Sequence, residues 1–496
     1  MPRCHRRCAP PDLQGLAAVQ RRRRPPSVAN TFASLPSDVP ADMRVSGKWD
    51  NPLNRRNSVL GSIDKGTTAK LPVKGQPVQG FSGIKVLRSQ PPGLLGGKRH
   101  VRGRGSSAEA EFLVLTDNGY GSKANSPDSL LMFHRISANF DAKSARVEGC
   151  ECLTRRRPCT HRDAQRAQQQ QAWHVLPGST VFLRDPNKVI PFLITNEHTS
   201  QRYLTGADLD IESIQPIGSS VFFGDEFGPY LIETDLNGVV KGFWDTSVKG
   251  NATALRSPDN LLVRLPGTPA ATDLAQVSFN VRRSKGFEGM AASEDGRYLY
   301  PLLEGALFDP ATQDLENIGG TYFWRMLKFD TGARAFDFSF DAKYPLEAKT
   351  NSLGDFNIID SQGRALVIER DDGEGDPRLS FAATGNAPGC FRNPAAFKRV
   401  YLIDTSQRDA NGFVNKLAYI DLLDIQDPDD VAISGTINGV FTFPFFTIED
   451  VDAVNGTSIV VGNDNNFPSS STRRPGFNDD SEFAMLDVGS FLSSAC

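Results

Sequence analysis

The sequence lacks the marks of several protein classes. No apolar run is long enough to cross a bilayer as a helix, so no transmembrane segment is expected. The formal net charge is only −3, which gives no overall basis for binding nucleic acid or an anionic membrane. A G-x-S-x-G nucleophile elbow, a Walker phosphate loop and an H-E-x-x-H zinc helix are all missing. The sequence therefore offers no motif for serine, P-loop or zincin chemistry.

The N-terminal part of the chain also lacks a clear secretory signal. The stretch from Leu13 to Val19 is short and is interrupted by Gln14 and Gly15, whereas a signal peptide needs about 7–15 apolar residues. The basic, Arg-rich start fits an organelle transit peptide or a disordered tail equally well. Seven cysteines, an odd number, form no regular disulfide framework. The sequence leaves the compartment and the oligomeric state open.

The remaining composition favours short strands. The chain contains 44 Gly, 32 Pro and 32 Phe, and brief β-type runs end repeatedly in turn residues such as Asp295-Gly296, Asn237-Gly238 and Asn411-Gly412. Residues 1–77 are predicted to be a disordered basic tail or targeting segment, because they show no sustained periodicity. The folded domain is expected over residues 78–492, with surface insertions at 89–110 and 148–173.

A degenerate repeat runs through this domain. Its first half is a tetrad of an apolar residue, Ser or Glu, a small or acidic residue, and a second apolar residue. The clear copies are Phe81-Ser82-Gly83-Ile84, Ile211-Glu212-Ser213-Ile214, Phe287-Glu288-Gly289-Met290 and Ile448-Glu449-Asp450-Val451, with a looser copy at Asn351-Ser352-Leu353-Gly354-Asp355.

The second half of the repeat follows about one hairpin later, where a strand ends in acids or amides. The copies are Asp117-Asn118-Gly119, Asp225-Glu226-Phe227-Gly228, Glu304-Gly305, Glu369-Arg370-Asp371 and Asp464-Asn465. Units of this kind predict an all-β fold, a β-propeller of roughly five to seven blades. A propeller directs the corresponding loops of every blade toward one end of a central channel, so the repeated acids should meet there.

Carboxylates flanked by core residues are costly unless they meet a cation or hydrogen-bond donors. An oxygen-only donor set suits Ca²⁺ better than zinc, although a structural network of carboxylates and basic residues is the alternative. Arginines beside these acids can bind phosphate in a bidentate manner or pair with the acids themselves. The basic candidates for substrate binding are Arg283, Lys285 and Arg370.

Several motifs in this order resemble the esterase-like phytase family, whose members are phytase-like domain proteins. They are Gly80-Phe81-Ser82-Gly83-Ile84, Thr116-Asp117-Asn118-Gly119-Tyr120-Gly121, Gly224-Asp225-Glu226-Phe227-Gly228-Pro229, Gly286-Phe287-Glu288-Gly289, Asn351-Ser352-Leu353-Gly354-Asp355 and Val367-Ile368-Glu369-Arg370-Asp371. The resemblance implies a propeller, an ester or phosphoester substrate, and export from the cytoplasm. Asp450 departs from the family pattern, in which Gly is typical.

Three functions fit these features: a metal-dependent ester hydrolase that uses activated water, a non-catalytic calcium-stabilised binding module, and a lactonase-like hydrolase. For the hydrolase, the expected catalytic residues are Asp225, Glu226, Glu288 and Glu369. The expected metal ligands are Asp117, Asn118, Glu212, Glu304, Asp355, Asp371, Glu449 and Asp464. Among these, Asp117, Glu212, Asp225, Glu288, Glu369, Glu449 and Asp464 are predicted to approach a common channel. A small-molecule ester is the expected partner.

Overall fold

The computed structural model describes most of the chain from residue 80 onward and one earlier strand. The described residues are 27–31, 80–87, 109–118, 123–127, 129–139, 144–147, 180–246, 254–263, 279–309, 312–384, 390–428, 430, 432, 436–466, 469–477, 479 and 481–494. None of the helices in this part of the chain has the length and apolar character needed to cross a membrane.

The first two sheets of the domain are antiparallel meanders. The first contains β2 (Phe81–Val86), β3 (Glu109–Thr116), β4 (Met132–Asn139) and β5 (Ser144–Val147), and β6 (Thr180–Phe182) also pairs with β4. The second contains β7 (Ile211–Ile217), β8 (Ser220–Asp225), β9 (Tyr230–Asp235) and β10 (Val240–Asp245). In each sheet, four neighbouring strands follow one another in sequence order, and the first sheet has β6 as a fifth strand.

The third sheet is branched. Its main strands are β11 (Phe287–Ala292), β12 (Tyr298–Leu303), β16 (Thr321–Met326) and β19 (Ala342–Pro345). Three two-residue strands extend it: β15 (Asn317–Ile318), β17 (Phe329–Asp330) and β18 (Ala335–Phe336). A separate short ladder joins β13 (Phe308–Asp309) and β14 (Asp314–Leu315).

The fourth and fifth sheets return to the regular pattern. The fourth contains β20 (Ser352–Ile358), β21 (Arg364–Arg370), β22 (Lys398–Arg408) and β23 (Val414–Asp421). The fifth contains β26 (Thr447–Ala453), β27 (Ser458–Asp464) and β28 (Ser481–Asp487), and β1 (Ser27–Thr31) pairs antiparallel with β28 at its outer edge. The described residues further contain the ladder of β24 (Ile425–Gln426) with β25 (Val440–Phe441), the 3₁₀ turns Lys123–Asn125 and Pro377–Leu379, and the one-turn helices Phe381–Thr384 and Gly489–Leu492.

The five sheets surround a common axis. The inner strands contact one another in the cyclic order β2, β7, β11, β20, β26 and back to β2. Both faces of a sheet are buried between neighbours, as β8 shows: Val221 and Phe223 pack toward the first sheet, whereas Phe222 packs toward the third. Because alternate side chains of a strand point to opposite faces, a strand that is buried on both faces is expected to carry a continuous run of apolar residues. The molecule is thus an all-β propeller with four regular blades and a fifth, branched sheet.

Most of the sequence-based expectations for the fold are confirmed. The all-β propeller is present, and the turn glycines Gly238, Gly296 and Gly412 adopt positive φ between paired strands. One piece of the predicted tail, Ser27–Thr31, instead forms the outer strand of the fifth sheet. The rest of residues 1–77 and the insertion at 148–173 lie outside the described residues, as does the insertion at 89–110 apart from the start of β3.

Candidate metal centre

Every inner strand carries a β-bulge at its tetrad. In β7, Ile211 pairs with Asp225 and Ser213 with Gly224, so Glu212 is the extra residue. The same one-residue shift occurs in the tetrads of β2, β11 and β26. In β20 it lies between Leu353 and Phe356, so the tetrad of the fourth sheet is Leu353-Gly354-Asp355-Phe356 rather than the looser copy that begins at Asn351. A bulge bends the strand and re-aims the side chain that it carries. The bulges therefore present one residue per sheet toward the axis: Ser82, Glu212, Glu288, Gly354 and Glu449.

A second position recurs on the neighbouring strand of each sheet. The first residue of each tetrad pairs with a residue on the neighbouring strand, and the second position is the residue directly after that partner. In the first sheet, Phe81 pairs with Thr116, so the second position is Asp117. In the second sheet, Glu226 follows Asp225, which pairs with Ile211. The five residues at this position are Asp117, Glu226, Glu304, Arg370 and Asp464.

Eight carboxylates from these positions and one adjacent residue form what we call the acid ring: Asp117, Asp210, Glu212, Glu226, Glu288, Glu304, Glu449 and Asp464. Two groups of three are especially close. Carboxylate oxygens of Asp117, Asp210 and Glu212 lie within 4.8 Å of one another, and so do those of Glu226, Glu288 and Glu304. Glu212 and Glu288 also interact electrostatically, which connects the two groups.

Two cations lie against the acid ring. The guanidinium Nη2 of Arg370 is 2.9 Å from Glu449 Oε1 and 3.3 Å from Glu304 Oε1. Lys285 Nζ donates to Glu304 Oε2 and lies 3.4 Å from Ser352 Oγ. Burial lowers the pKa of Arg370, but Glu449, Glu304 and Glu288 outweigh it and raise the pKa above its usual range. The ring contains eight carboxylates, and the two cations named here would neutralise only part of their negative charge if all of them were ionised.

Burial is the main cause of the raised pKa values of several ring carboxyls. It raises the pKa of Glu226 and Glu288 well above the usual range, and neighbouring carboxylates raise both further. It also raises the pKa of Glu449 to about 7. Glu304 differs, because Lys285 and Arg370 outweigh burial and hold its pKa below the usual range. Without a cation, part of the ring is therefore protonated at neutral pH.

Two buried carboxylate oxygens of the ring lack a hydrogen-bond donor in the described part of the chain. Glu226 and Glu288 are exposed by only 6% and 3%. Among the described residues, Glu226 Oε1 and Glu288 Oε1 find no hydrogen-bond donor. A buried acceptor without a donor costs about 1–3 kcal/mol, more if it is charged. The arrangement fits a bound cation, which would use these oxygens together with Glu304.

The predicted convergence is observed for five of its seven residues: Asp117, Glu212, Glu288, Glu449 and Asp464. Asp225 and Glu369 use their carboxylates to accept hydrogen bonds from backbone and side-chain groups of the protein. Asp225 accepts the backbone N–H of Asp210 and of Gly228, each at 2.8 Å. Glu369 accepts from Tyr344, Asn351, Lys416 and the Glu347 N–H. Both precede the ring residue of their strand and so point to the opposite side.

Three further candidates also lie away from the ring. Asp355 accepts the Val451 N–H at 2.8 Å, and Asp371 accepts the Ala396 N–H at 2.8 Å. Arg283 pairs with Asp259 and has a side chain that is 62% exposed. Asn118 is placed beside the ring, where its amide donates to Asp210 Oδ1 at 2.6 Å. Its amide nitrogen is thus used for orienting a carboxylate.

The sequence analysis missed Asp210 as a site residue and misjudged the fourth sheet. Asp210 is the residue directly before the tetrad of β7, and the equivalent residues before the tetrads of β2 and β11 are Gly80 and Gly286. Aligning the residues before the tetrads could therefore have identified Asp210. In β20 the bulge holds Gly354, and a Cβ there would lie 1.8 Å from the carbonyl oxygen of Ile448. The fourth sheet therefore contributes Arg370 to the ring and no acid.

Asp450 occupies the third tetrad position, which Gly83, Ser213 and Gly289 hold in other sheets. It is fully buried, and neither carboxylate oxygen has a hydrogen-bond partner among the described residues. Burial raises the pKa of Asp450 well above its usual range, and Asp355 raises it further. The Gly83 N–H favours the charged form but does not meet hydrogen-bonding geometry. Asp450 is thus a buried carboxyl that lacks a hydrogen-bond partner among the described residues, and its surroundings favour the protonated form.

Replacing this carboxyl should stabilise the protein. We expect Asp450→Ser to raise the free energy of unfolding by about 2 kcal/mol at pH 7, because a smaller, neutral hydroxyl is less costly to bury than an unpaired carboxyl. The folded-state pKa of Asp450 is raised, so its cost grows as the pH rises above the unfolded value of 3.8. Urea unfolding at pH 4 and pH 7 checks this, and an equal or lower stability of the variant at pH 7 would contradict it.

Comparison with known proteins gives a match to one family model. The family model named Phytase-like, described as esterase-like activity of phytase, matches residues 76–467. No curated protein matches the sequence. Solved structures similar to the chain include a luciferin-regenerating enzyme, at 10% identity, 83% coverage of this chain, 92% of that one and a TM-score of 0.28. A glucose dehydrogenase-type oxidoreductase from Thermus thermophilus gives 11% identity, 82% and 84% coverage and a TM-score of 0.27.

Proposed function

Since the chain belongs to the phytase-like family, we propose that it is a metal-dependent ester hydrolase acting on a small phosphoester at the acid ring. The observation that carries the proposal is the pair of buried carboxylate oxygens, Glu226 Oε1 and Glu288 Oε1, which find no donor among the described residues. A purely structural network of acids would satisfy its buried oxygens with hydrogen bonds. A cation site needs such oxygens.

The donor set indicates the kind of cation. Glu226, Glu288 and Glu304 offer only carboxylate oxygens, and Glu304 is also paired with Lys285 and Arg370. Hard oxygen ligands suit Ca²⁺ or Mg²⁺ rather than zinc, and Ca²⁺ tolerates the irregular geometry of residues from two sheets. Calcium is therefore the proposed cation, with these three glutamates as its ligands.

The chain's own groups supply the rest of the chemistry. A divalent cation in such a site neutralises an anionic substrate and increases the acidity of water. Arg370 holds Glu304 and Glu449 in place, and its Nε has no partner among the described residues, so it can donate to an anionic oxygen of the ester. Lys285 offers a second positive charge beside Glu304. Water is the proposed attacking group, because the sequence has no nucleophile motif.

The test is hydrolysis of phosphomonoesters, phosphodiesters and lactones by the purified full chain, with calcium, magnesium or manganese and after exhaustive chelation. Glu288→Gln should lower kcat/KM by about 10- to 100-fold, because a ligand charge is lost. Glu294→Gln, at an exposed turn between β11 and β12, is the matched control and should leave kcat/KM unchanged.

A serine in the ring provides a second control on the mechanism. Ser82 Oγ donates to Glu449 Oε2 at 2.9 Å, so a serine nucleophile with a carboxylate base is the competing arrangement. Ser82→Ala should retain most activity if water attacks. Loss of all activity in this variant, or full activity of the wild type after chelation, would reject the metal-and-water mechanism. Hydrolysis of lactones alone would favour the lactonase-like alternative, and no hydrolysis at all the binding module.

A further inference from the structure

A second layer of polar side chains crosses the axis next to the acid ring. The residue that follows each tetrad is Lys85 in β2, Gln215 in β7, Asn357 in β20 and Asp452 in β26, whereas β11 has Ala291 there. Lys85 Nζ is 2.9 Å from Asn357 Oδ1 and 3.2 Å from Asp452 Oδ2. We call Lys85, Gln215, Asn357 and Asp452 the axial hub.

Asn357 is the centre of this hub. Its Oδ1 accepts from Lys85 and, at 2.8 Å, from Gln215 Nε2. Its Nδ2 donates to the backbone carbonyls of Ile84, at 3.1 Å, and Val451, at 2.9 Å, and it is 3.2 Å from Asp355 Oδ2. The side chain is 1% exposed. One amide therefore ties its own strand β20 to β2, β7 and β26.

Gln215 extends the hub to the last inner strand. Its Nε2 donates to the Met290 carbonyl of β11 at 2.6 Å, in addition to Asn357. Ile84, Met290 and Val451 are the final residues of three tetrads, so the hub binds the backbone directly beside the bulges that carry Ser82, Glu288 and Glu449. All five inner strands are thereby joined in one layer.

We propose that the axial hub is a positioning device for the acid ring: Asn357 and Gln215 fix the relative positions of the bulges, and thus the spacing of Glu212, Glu288 and Glu449. A bulge is locally unpaired, so its ladder does not hold the carboxylate at a defined distance from the next sheet. A fully satisfied buried network supplies that constraint, because each donor and acceptor has one arrangement that satisfies it. The part of the proposal that concerns cation affinity rests on the proposed function.

The test compares two hub variants with a variant of similar instability elsewhere. Gln215→Met removes both donors at nearly constant length, and Asn357→Asp keeps the two acceptor contacts but loses the donors to Ile84 and Val451. Leu402→Ala creates a cavity in the fourth sheet, within the cluster that packs against the fifth. Leu402 lies on β22, whereas Asn357 lies on β20, on the other side of β21. Hydrogen exchange of the full chain and titration with Tb³⁺, a luminescent substitute for Ca²⁺, are measured for all three.

In both hub variants, the tetrads of β2, β7, β11 and β26 should lose more amide protection than the outer strands of the same sheets. Both variants should also bind Tb³⁺ about tenfold more weakly than the wild type. Leu402→Ala should keep wild-type Tb³⁺ affinity and show no selective loss in those tetrads. The proposal would be overturned if the hub variants lost amide protection uniformly over the sheets. It would also be overturned if Leu402→Ala showed the selective loss in the tetrads that is expected of the hub variants. A wild type that binds no Tb³⁺ refutes the cation site of the proposed function, and the exchange pattern then decides on the hub alone.

Discussion

Without divalent cations, the free energy of unfolding should fall as the pH rises from about 5 to 8, because protonated ring carboxylates become charged while buried. Burial and mutual repulsion raise the folded-state pKa of Asp210, Glu212, Glu226 and Glu288 well above the usual range. A group with a raised pKa binds its proton more tightly in the folded state. Its favourable contribution is complete below the unfolded pKa and is lost as the pH rises through the folded one.

The expected size of this effect is large. For Glu449 alone, a rise from 4.5 to about 7 corresponds to roughly 3 kcal/mol. Calcium should reverse the trend, since binding replaces protons with a cation, and its affinity should therefore increase with pH. At a concentration 100 times its dissociation constant, calcium should stabilise the folded state by about 2.7 kcal/mol.

Urea unfolding at pH 5, 6, 7 and 8, with a chelator or with calcium, measures both effects. The double variant Glu226→Gln with Glu288→Gln should show a flatter pH dependence in chelator and little stabilisation by calcium. A stability that is independent of pH over this range in chelator would contradict the protonation of the ring. Equal stabilisation by calcium at pH 5 and pH 8 would contradict the exchange of protons for the cation.

Replacing Arg370, whose guanidinium pairs with two carboxylates of the acid ring, should also strongly lower the free energy of unfolding. Arg370→Gln should destabilise the protein by about 3–5 kcal/mol in chelator, because a buried ion pair then loses one partner. Its partners Glu304 and Glu449 are exposed by only 4% and 6% and would remain without that charge. Adding Glu449→Gln to Arg370→Gln should restore part of the stability, since one of the uncompensated carboxylates is then neutral.

Arg283→Gln is the matched control, because Arg283 pairs with Asp259 through a side chain that is 62% exposed. An exposed pair is worth about 0–1 kcal/mol, so this variant should be nearly as stable as the wild type. Urea unfolding of the wild type, Arg370→Gln, Glu449→Gln and the double variant completes a double-mutant cycle, with Arg283→Gln measured beside it. Similar stabilities of Arg370→Gln and Arg283→Gln would show that the ring does not depend on Arg370.

The architecture and the general position of the site could be predicted from the sequence, but not the direction of each side chain. Apolar runs such as Val221–Phe223 indicated strands buried on both faces, and the repeated tetrads located Glu212, Glu288 and Glu449. In Asp225-Glu226 both residues are acidic, so composition cannot tell which one points to the axis. A difference of one residue moves a side chain to the opposite face of a strand.

The hub and the fourth sheet could not be predicted for a related reason. Gln215 and Asn357 are single polar residues in apolar strands, and only the convergence of five strands gives them common partners. The absence of an acid at Gly354 follows from the close approach of the Ile448 carbonyl, which is a contact between sheets. Relations between blades depend on how the sheets meet around the axis and leave no periodic pattern in the chain.

The repetition of one bulge in all five sheets makes the centre modular. Each sheet supplies two slots, and their occupants along the chain are Ser82, Asp117, Glu212, Glu226, Glu288, Glu304, Gly354, Arg370, Glu449 and Asp464. Because the slots are defined by backbone geometry, exchanging occupants at slots other than Gly354, where the Ile448 carbonyl leaves no room for a side chain, changes the charge and donor set at the axis. A propeller of this kind can therefore acquire a different ligand preference through a few substitutions in the slots, as gene duplicates diverge or as a designer chooses.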